Sequence, residues 1–207
     1  MVEQETNWYL YEDMAHKKGY NYICGVDEAG RGPVAGPVFA AAVILPYNFQ
    51  IEGLNDSKKL SEKKRELLFS IIKEKSISFS IAFATENEID DLNILNATFL
   101  AMKRAVEGLD IPSDYALIDG DKTPNLNIPA QPIVKGDSLS ASIAAASILA
   151  KVSRDHFMIN LSKKYPQYEL QKHKGYGTKL HKELLRKYGP SEIHRKTFLK
   201  KFLRDST

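Results

Sequence analysis

The chain has 207 residues, 43% of them hydrophobic and 10% aromatic, which allows one large domain, or one domain with an appendage, around an ordinary core. No run of about 18 apolar residues occurs, which excludes a membrane-spanning helix, and the start, MVEQETNWYL, carries acids where a secretory signal would be basic and then apolar. The formal net charge of +3 conceals an asymmetry: residues 151–207 hold 15 Lys and Arg against 5 Asp and Glu, and residues 1–150 hold the remaining 14 against 21.

Trp8, Tyr9 and Leu10 suggest a helix within a leader of residues 1–20, docked on the body. Residues 22–27 and 38–45 read as strands joined by a tight glycine-rich turn, AGRGPVAG. In SEKKRELLFSIIKEK, Leu67, Leu68, Ile71 and Ile72 recur with a helical period. SISFSIAFA alternates polar and apolar residues from Ser76, as a half-buried strand does, and Leu92, Leu95, Phe99, Met102 and Val106 predict a helix over 92–108. The run Tyr115–Ile118 is a short buried strand that ends at Asp119. Residues 138–159 predict a long helix whose Ala and Ser residues let it lie close to a neighbour. From Ser162 onward, Pro166, Gly175, Gly177, Gly189 and Pro190 divide short helical pieces such as 178–187. The expectation is an α/β body over 21–161 with a mixed central sheet flanked by helices, and a small basic helical appendage over 162–207.

A basic third on an acidic body suggests a polyanion partner, set against the plainer reading of a solvated helical surface. Cys24, the single cysteine, reads as a small core residue in a chain made for a reducing compartment, here the cytoplasm.

Four acids stand at unusual places. Asp27 and Glu28 end the first strand, Asp119 ends another, and Asp137 lies just before the long helix. Each has an ordinary explanation: Asp137 as helix N-cap, Asp119 as a turn residue before Gly120, Glu28 as a cap on the glycine turn. Together they are harder to dismiss, because converging carboxylates repel unless a cation sits among them. Hard oxygen donors favour Mg²⁺ or Mn²⁺, and no Cys/His cluster has zinc spacing. Asp121 ranks lower because Gly120 turns the chain away. Asp155 lies about 27 Å from Asp137 along a straight helix, too far to share a metal, and reads as an ion-pair partner on the surface. The loop Gly30–Gly36 has one residue too many for a dinucleotide fingerprint, and Pro33 removes a donor. Its glycines permit close approach to a phosphate or ribose, with Arg31 as a charged clamp.

GVDEAGRGPVAGPV, LNDSKKLSEKKRE, LIDGD, KGDSLSASIAAASILAKVSRD and HKGYGT, in this order from about Tyr22 to the C-terminal region, resemble the bacterial ribonuclease HII family. The resemblance implies a ribonuclease H-like fold and cleavage of the RNA strand of RNA–DNA hybrids and at single ribonucleotides embedded in DNA duplexes. It also implies two-metal cleavage with Mg²⁺ or Mn²⁺ that leaves 3′-hydroxyl and 5′-phosphate ends. It places the metal-binding catalytic acids at Asp27, Glu28, Asp119 and Asp137, and substrate contacts at Gly30, Arg31, Gly32, Lys58 and Tyr176. The related ribonuclease HIII usually has Lys in the loop and a longer N-terminal domain, so Arg31 and the short leader favour HII. A monomer without a membrane partner is expected. The rival readings are a non-catalytic nucleic-acid binder, which leaves the four acids unexplained, and a nucleotide-binding enzyme, which the glycine spacing disfavours.

Overall fold

The computed structural model describes residues 7–49, 52–54, 57 and 60–204. Its centre is a five-stranded mixed sheet built from β1 (Ile23–Ala29), β2 (Val38–Ile44), β3 (Ser78–Ala84), β4 (Tyr115–Asp119) and β5 (Ala130–Ile133), in the order β3-β2-β1-β4-β5. β1 and β2 pair antiparallel, as do β2 and β3, while β4 and β5 extend the sheet parallel to β1. The helices are α1 (Leu10–Lys17), α2 (Glu62–Lys75), α3 (Glu86–Leu92), α4 (Ile94–Glu107), α5 (Ala141–Lys164), α6 (Leu170–His173), α7 (Lys179–Tyr188) and α8 (Lys196–Arg204). Among the described residues no helix is long and apolar enough to cross a membrane.

The period-2 alternation of the strands divides the core. Cys24, Val26, Ala40, Ala42, Ile44, Ala116 and Ile118 face α4, where they meet Ala97, Ala101 and Ala105. Ala41 and Val43 face the opposite layer of α2 and α5, and Ile23, Tyr115 and Leu117 gather on that same side around Ile143 of α5. Close approach of α5 depends on small residues: a Cβ on Gly25 would lie 2.1 Å from the carbonyl carbon of Ser142.

Three elements differ from the sequence reading. The helix expected over 92–108 is interrupted at Asn93 (φ 68°), whose side chain accepts from the amides of Leu95 and Asn96 and starts α4 afresh. β5, the sequence AQPI, was not anticipated. Pro132 lacks an N–H, and its strand lies at the sheet edge, where none is needed. The long helix begins at Ala141 and runs to Lys164, past the boundary drawn at 161/162.

Helix α1 docks on the start of α5. The Glu12 carboxylate is buried and accepts from Ser140 Oγ (2.6 Å), Ser142 Oγ (2.7 Å) and the Ser142 amide (3.0 Å), and the Ala141 amide donates to the Trp8 carbonyl. Glu12→Ala removes the acceptor and strands three buried donors. It is expected to destabilise the protein by about 2 kcal/mol, a fall in Tm of roughly 4–8 °C at this chain length, measurable by thermal unfolding.

Candidate active site

The register of the sheet creates the site. β1 and β4 pair in parallel from Ile23 opposite Tyr115 to Val26 opposite Ile118, and the same offset sets Asp27 beside Asp119 at the strand ends. Parity places both on the α5 side of the sheet, together with residues 23, 25, 115 and 117. Asp27 is 4% exposed. It accepts from the Glu28 amide (2.6 Å) and from the Ser147 hydroxyl of α5, which in turn contacts Ser57 Oγ at 2.9 Å. Burial pushes the Asp27 carboxyl well above the usual carboxylate range, and the negative charges of Glu28 and Asp119 push in the same direction.

Asp137 arrives from the segment between β5 and α5. Lys135, in the left-handed region (φ 58°), leads into a single 3₁₀ turn, Gly136–Ser138, in which Asp137 is buried. A Cβ on Gly136 would lie 3.3 Å from Asp119 Oδ1, so this turn abuts the Asp119 carboxylate. The N-cap of α5 is Ser140, whose hydroxyl accepts from the Ile143 amide, so helix capping does not explain Asp137. Asp27 and Asp119 thus stand side by side at the ends of two central strands, with the Asp137 turn against Asp119, and Glu28, the next residue after Asp27, is half-buried and 3.4 Å from the Arg31 guanidinium. Among the described residues no three His, Cys, Asp or Glu side chains already stand close enough to hold an ion. Mutual repulsion opposes such closure without a cation. The donor set, all carboxylate oxygen, fits a hard divalent metal. Asp155 pairs with Lys151 at 2.8 Å, one helical turn away and outside the cluster.

The glycine loop follows directly. Gly30 has φ +100°, and a Cβ there would lie 2.1 Å from Arg154 Nε, so only glycine fits. Gly32 faces Tyr176, whose Cε1 is 4.0 Å from where a Gly32 Cβ would stand. The Tyr176 ring is 41% exposed, with Lys151 Nζ 6.0 Å and Arg154 Cζ 5.7 Å from its centroid. Arg31 is exposed at the loop tip. Lys58 lies outside the described residues.

Two residues here escaped the sequence reading. Arg154 and Arg195, counted among the cations of the basic third, are fully buried behind the loop. Arg154 donates to the carbonyls of Pro37, Ala35 and Lys174, and Arg195 to those of Gly30, Arg31 and Gly36. Six backbone carbonyls thus satisfy two guanidinium groups.

The residues after α5 pack against this loop and against α5 itself. Val34, Ala35 and Met158 share a core with Tyr168, Leu170, Leu185, Ile193 and Leu199, and Ala35 bridges His194. Behind Tyr176 lie three buried imidazoles. His181 Nδ1 donates to the Tyr176 carbonyl, and His181 Nε2 accepts from His194 Nε2 (3.2 Å). His194 Nδ1 accepts from the Ser191 amide, and His173 Nδ1 from the Gly175 amide. Every ring is used as an acceptor at one nitrogen, so each is neutral, and charging any of them breaks a hydrogen bond. Burial first, and His173 beside it, bring His181 down to about 4; burial likewise brings His194 to about 4. Both lie below the ordinary histidine value of about 6.5, so the unfolded chain takes up protons first as the pH falls, and stability is lost between pH 6.5 and 4. Acidification from pH 7 to 5 is expected to cost on the order of 2 kcal/mol for the first ring to charge. His181→Gln should flatten that dependence in thermal melts recorded across the range.

Comparison with known proteins places this architecture. Residues 24–201 match the family model described as Ribonuclease HII. The chain is 56% identical over 200 residues to the ribonuclease HII of Caldicellulosiruptor saccharolyticus, covering 97% of this chain and 98% of that one. It is 60% identical over 180 residues to that of Desulfitobacterium hafniense, covering 87% and 69%. Among solved structures, ribonuclease H2 from Pyrococcus horikoshii OT3 superposes with a TM-score of 0.72 at 28% identity, over 89% of this chain and 98% of that one. Bst-RNase HIII in complex with Mn²⁺ shares the fold, with a TM-score of 0.70 at 20% identity over 99% and 74%. With more than half of the aligned residues identical over nearly the full length of both chains, the chain belongs to the ribonuclease HII family.

Proposed function

We propose that the chain cleaves the RNA strand of RNA–DNA hybrids and cuts at single ribonucleotides embedded in duplex DNA, leaving 3′-hydroxyl and 5′-phosphate ends. The observation that carries this reading is the pairing of Asp27 with Asp119 at two parallel strand ends, beside a glycine loop held from behind by arginine. Asp27, Glu28, Asp119 and Asp137 would hold Mg²⁺ or Mn²⁺; the Mn²⁺ complex of a neighbour with the same fold supports that class of metal. The chemistry such an ion would supply when bound is activation of water and neutralisation of charge at the phosphate. Ser147 holds the Asp27 carboxylate by a hydrogen bond. Gly30–Gly32 and Tyr176 form the sugar-facing wall, and the cations of the C-terminal unit grip the duplex by phosphate charge. The protein acts as a monomer in the cytoplasm.

The test is incubation with an end-labelled DNA duplex carrying one ribonucleotide, with Mg²⁺ and with EDTA. Nicking at the ribonucleotide that requires metal is the expected result. Metal-independent nicking, or an intact duplex under both conditions, refutes the reading.

A further inference from the structure

Arg195 belongs to the C-terminal unit in sequence but serves the loop after β1. Its Nη2 donates to the Gly30 carbonyl (2.7 Å), Nη1 to that of Arg31 (3.0 Å) and Nε to that of Gly36 (2.8 Å). Its own amide donates to the Val34 carbonyl at 2.9 Å, and the Gly36 amide returns a bond to Ile193, so its backbone is fastened to the loop it holds. Burial, and then the charge of Arg154, lower the guanidinium to about 9, so it stays charged at neutral pH.

The peptide plane gives these bonds a direction. In a trans peptide the carbonyl of one residue and the amide N–H of the next point opposite ways, and among the described residues no peptide bond is cis. Drawing the Gly30 and Arg31 carbonyls inward to Arg195 therefore turns the Arg31 and Gly32 amides outward. They emerge on the side where the exposed Tyr176 ring stands beside Gly32. Two neighbouring donors and an aromatic hydroxyl suit a hydroxyl oxygen, which ribose carries at its 2′ position and deoxyribose lacks. Without the arginine, a loop containing Gly30, Gly32 and Gly36 has wide freedom to rotate those amides away.

We propose that Arg195 is a positioning residue for sugar selection: by holding the Gly30 and Arg31 carbonyls from behind, it aims the Arg31 and Gly32 amides at the ribose 2′-hydroxyl. This rests on the reading of the chain as a ribonucleotide-selective nuclease. A lysine keeps the charge but presents one nitrogen in place of a planar fork, so it cannot hold both carbonyls in their present directions. A residue that merely filled the core would alter stability and the affinity for every duplex alike.

The experiment measures binding of wild type and Arg195→Lys to two duplexes of one sequence, all-DNA and with a single ribonucleotide. Ca²⁺ replaces Mg²⁺, and the duplexes are checked for integrity afterwards. Wild type is expected to prefer the ribonucleotide duplex. Arg195→Lys is expected to narrow that preference by about tenfold, the worth of one well-formed hydrogen bond, with all-DNA affinity held within about twofold. A variant that keeps the wild-type preference, or loses affinity equally for both duplexes, overturns the inference. A wild type that neither prefers nor nicks the ribonucleotide duplex fails at the nuclease reading itself, and the inference falls with it. If Arg195→Lys does not fold, amide exchange of wild type decides: the Arg31 and Gly32 amides are expected to be protected by the ribonucleotide duplex and not by all-DNA. Equal protection by both overturns the inference.

Discussion

Asp27→Asn is expected to lower cleavage of a ribonucleotide-containing duplex by about 10³-fold or more, because several kcal/mol of charge stabilisation at the phosphate depend on this carboxylate. The substitution keeps the shape of the side chain and one acceptor oxygen, so the Ser147 and Glu28 hydrogen bonds can persist and the strand end is retained. Asp119→Asn, one strand across in the same register, should behave alike. Asp121→Asn, exposed beyond the turn at Gly120, should leave the rate within about twofold. Duplex affinity should survive in all three, since the cations lie in another part of the chain. A second measurement exploits electrostatics. The Asp27 carboxyl is raised above its unfolded value, so in metal-free protein it favours the fold at low pH and burdens it increasingly as the pH rises and the group ionises. Asp27→Asn should therefore melt higher than wild type in EDTA at neutral pH, and the advantage should shrink when Mg²⁺ is added, because the ion stabilises the wild type by binding it. A fully active Asp27→Asn would remove the residue from the centre.

The site was readable in the sequence where function and local geometry coincide. An apolar run that ends in Asp27 and Glu28, and another that ends in Asp119, are strands whose last residues are charged, and a charge at a buried strand end requires a reason. Their pairing was not readable, because it depends on β1 and β4 being neighbours across 85 intervening residues of chain, from Gly30 to Asp114. β5 was hidden for a local reason: four residues including Pro132 carry no alternation to read. The break at Asn93 was hidden because the apolar period of α4 runs on through it, whereas the interruption comes from backbone capping. Arg154 and Arg195 were misplaced by charge counting. Arginine in a basic segment is ordinarily solvated, and only the fold shows six carbonyls turned toward these two. The histidines of the C-terminal segment are kept neutral by burial, which fits them to fasten the segment around Tyr176.

That segment carries the second large expectation. Tyr176→Ala should reduce cleavage at a single embedded ribonucleotide by roughly 30- to 1000-fold, the equivalent of about 2–4 kcal/mol from a lost hydrogen bond and lost packing. The main chain of Tyr176 is held at both ends, its amide donating to the His173 carbonyl and its carbonyl accepting from Thr178 and His181. The backbone is therefore expected to stay in place when the ring is removed. The exposed ring stands beside Gly32, where the loop amides emerge, so one side chain can meet the 2′-hydroxyl with its phenol and the next sugar with its face. A deoxyribose at that next position lets the ring lie flat, whereas a ribose brings a second hydroxyl against it. A single embedded ribonucleotide presents the first arrangement and a long RNA–DNA hybrid the second. The loss is accordingly expected to be larger on the embedded ribonucleotide than on the hybrid, with Tyr176→Phe falling between wild type and alanine because it keeps the packing and loses the phenol. Single-turnover cleavage of both substrates by the three proteins measures this. Equal losses on the two substrates would make Tyr176 a general contact to the duplex and remove its role in recognising the junction.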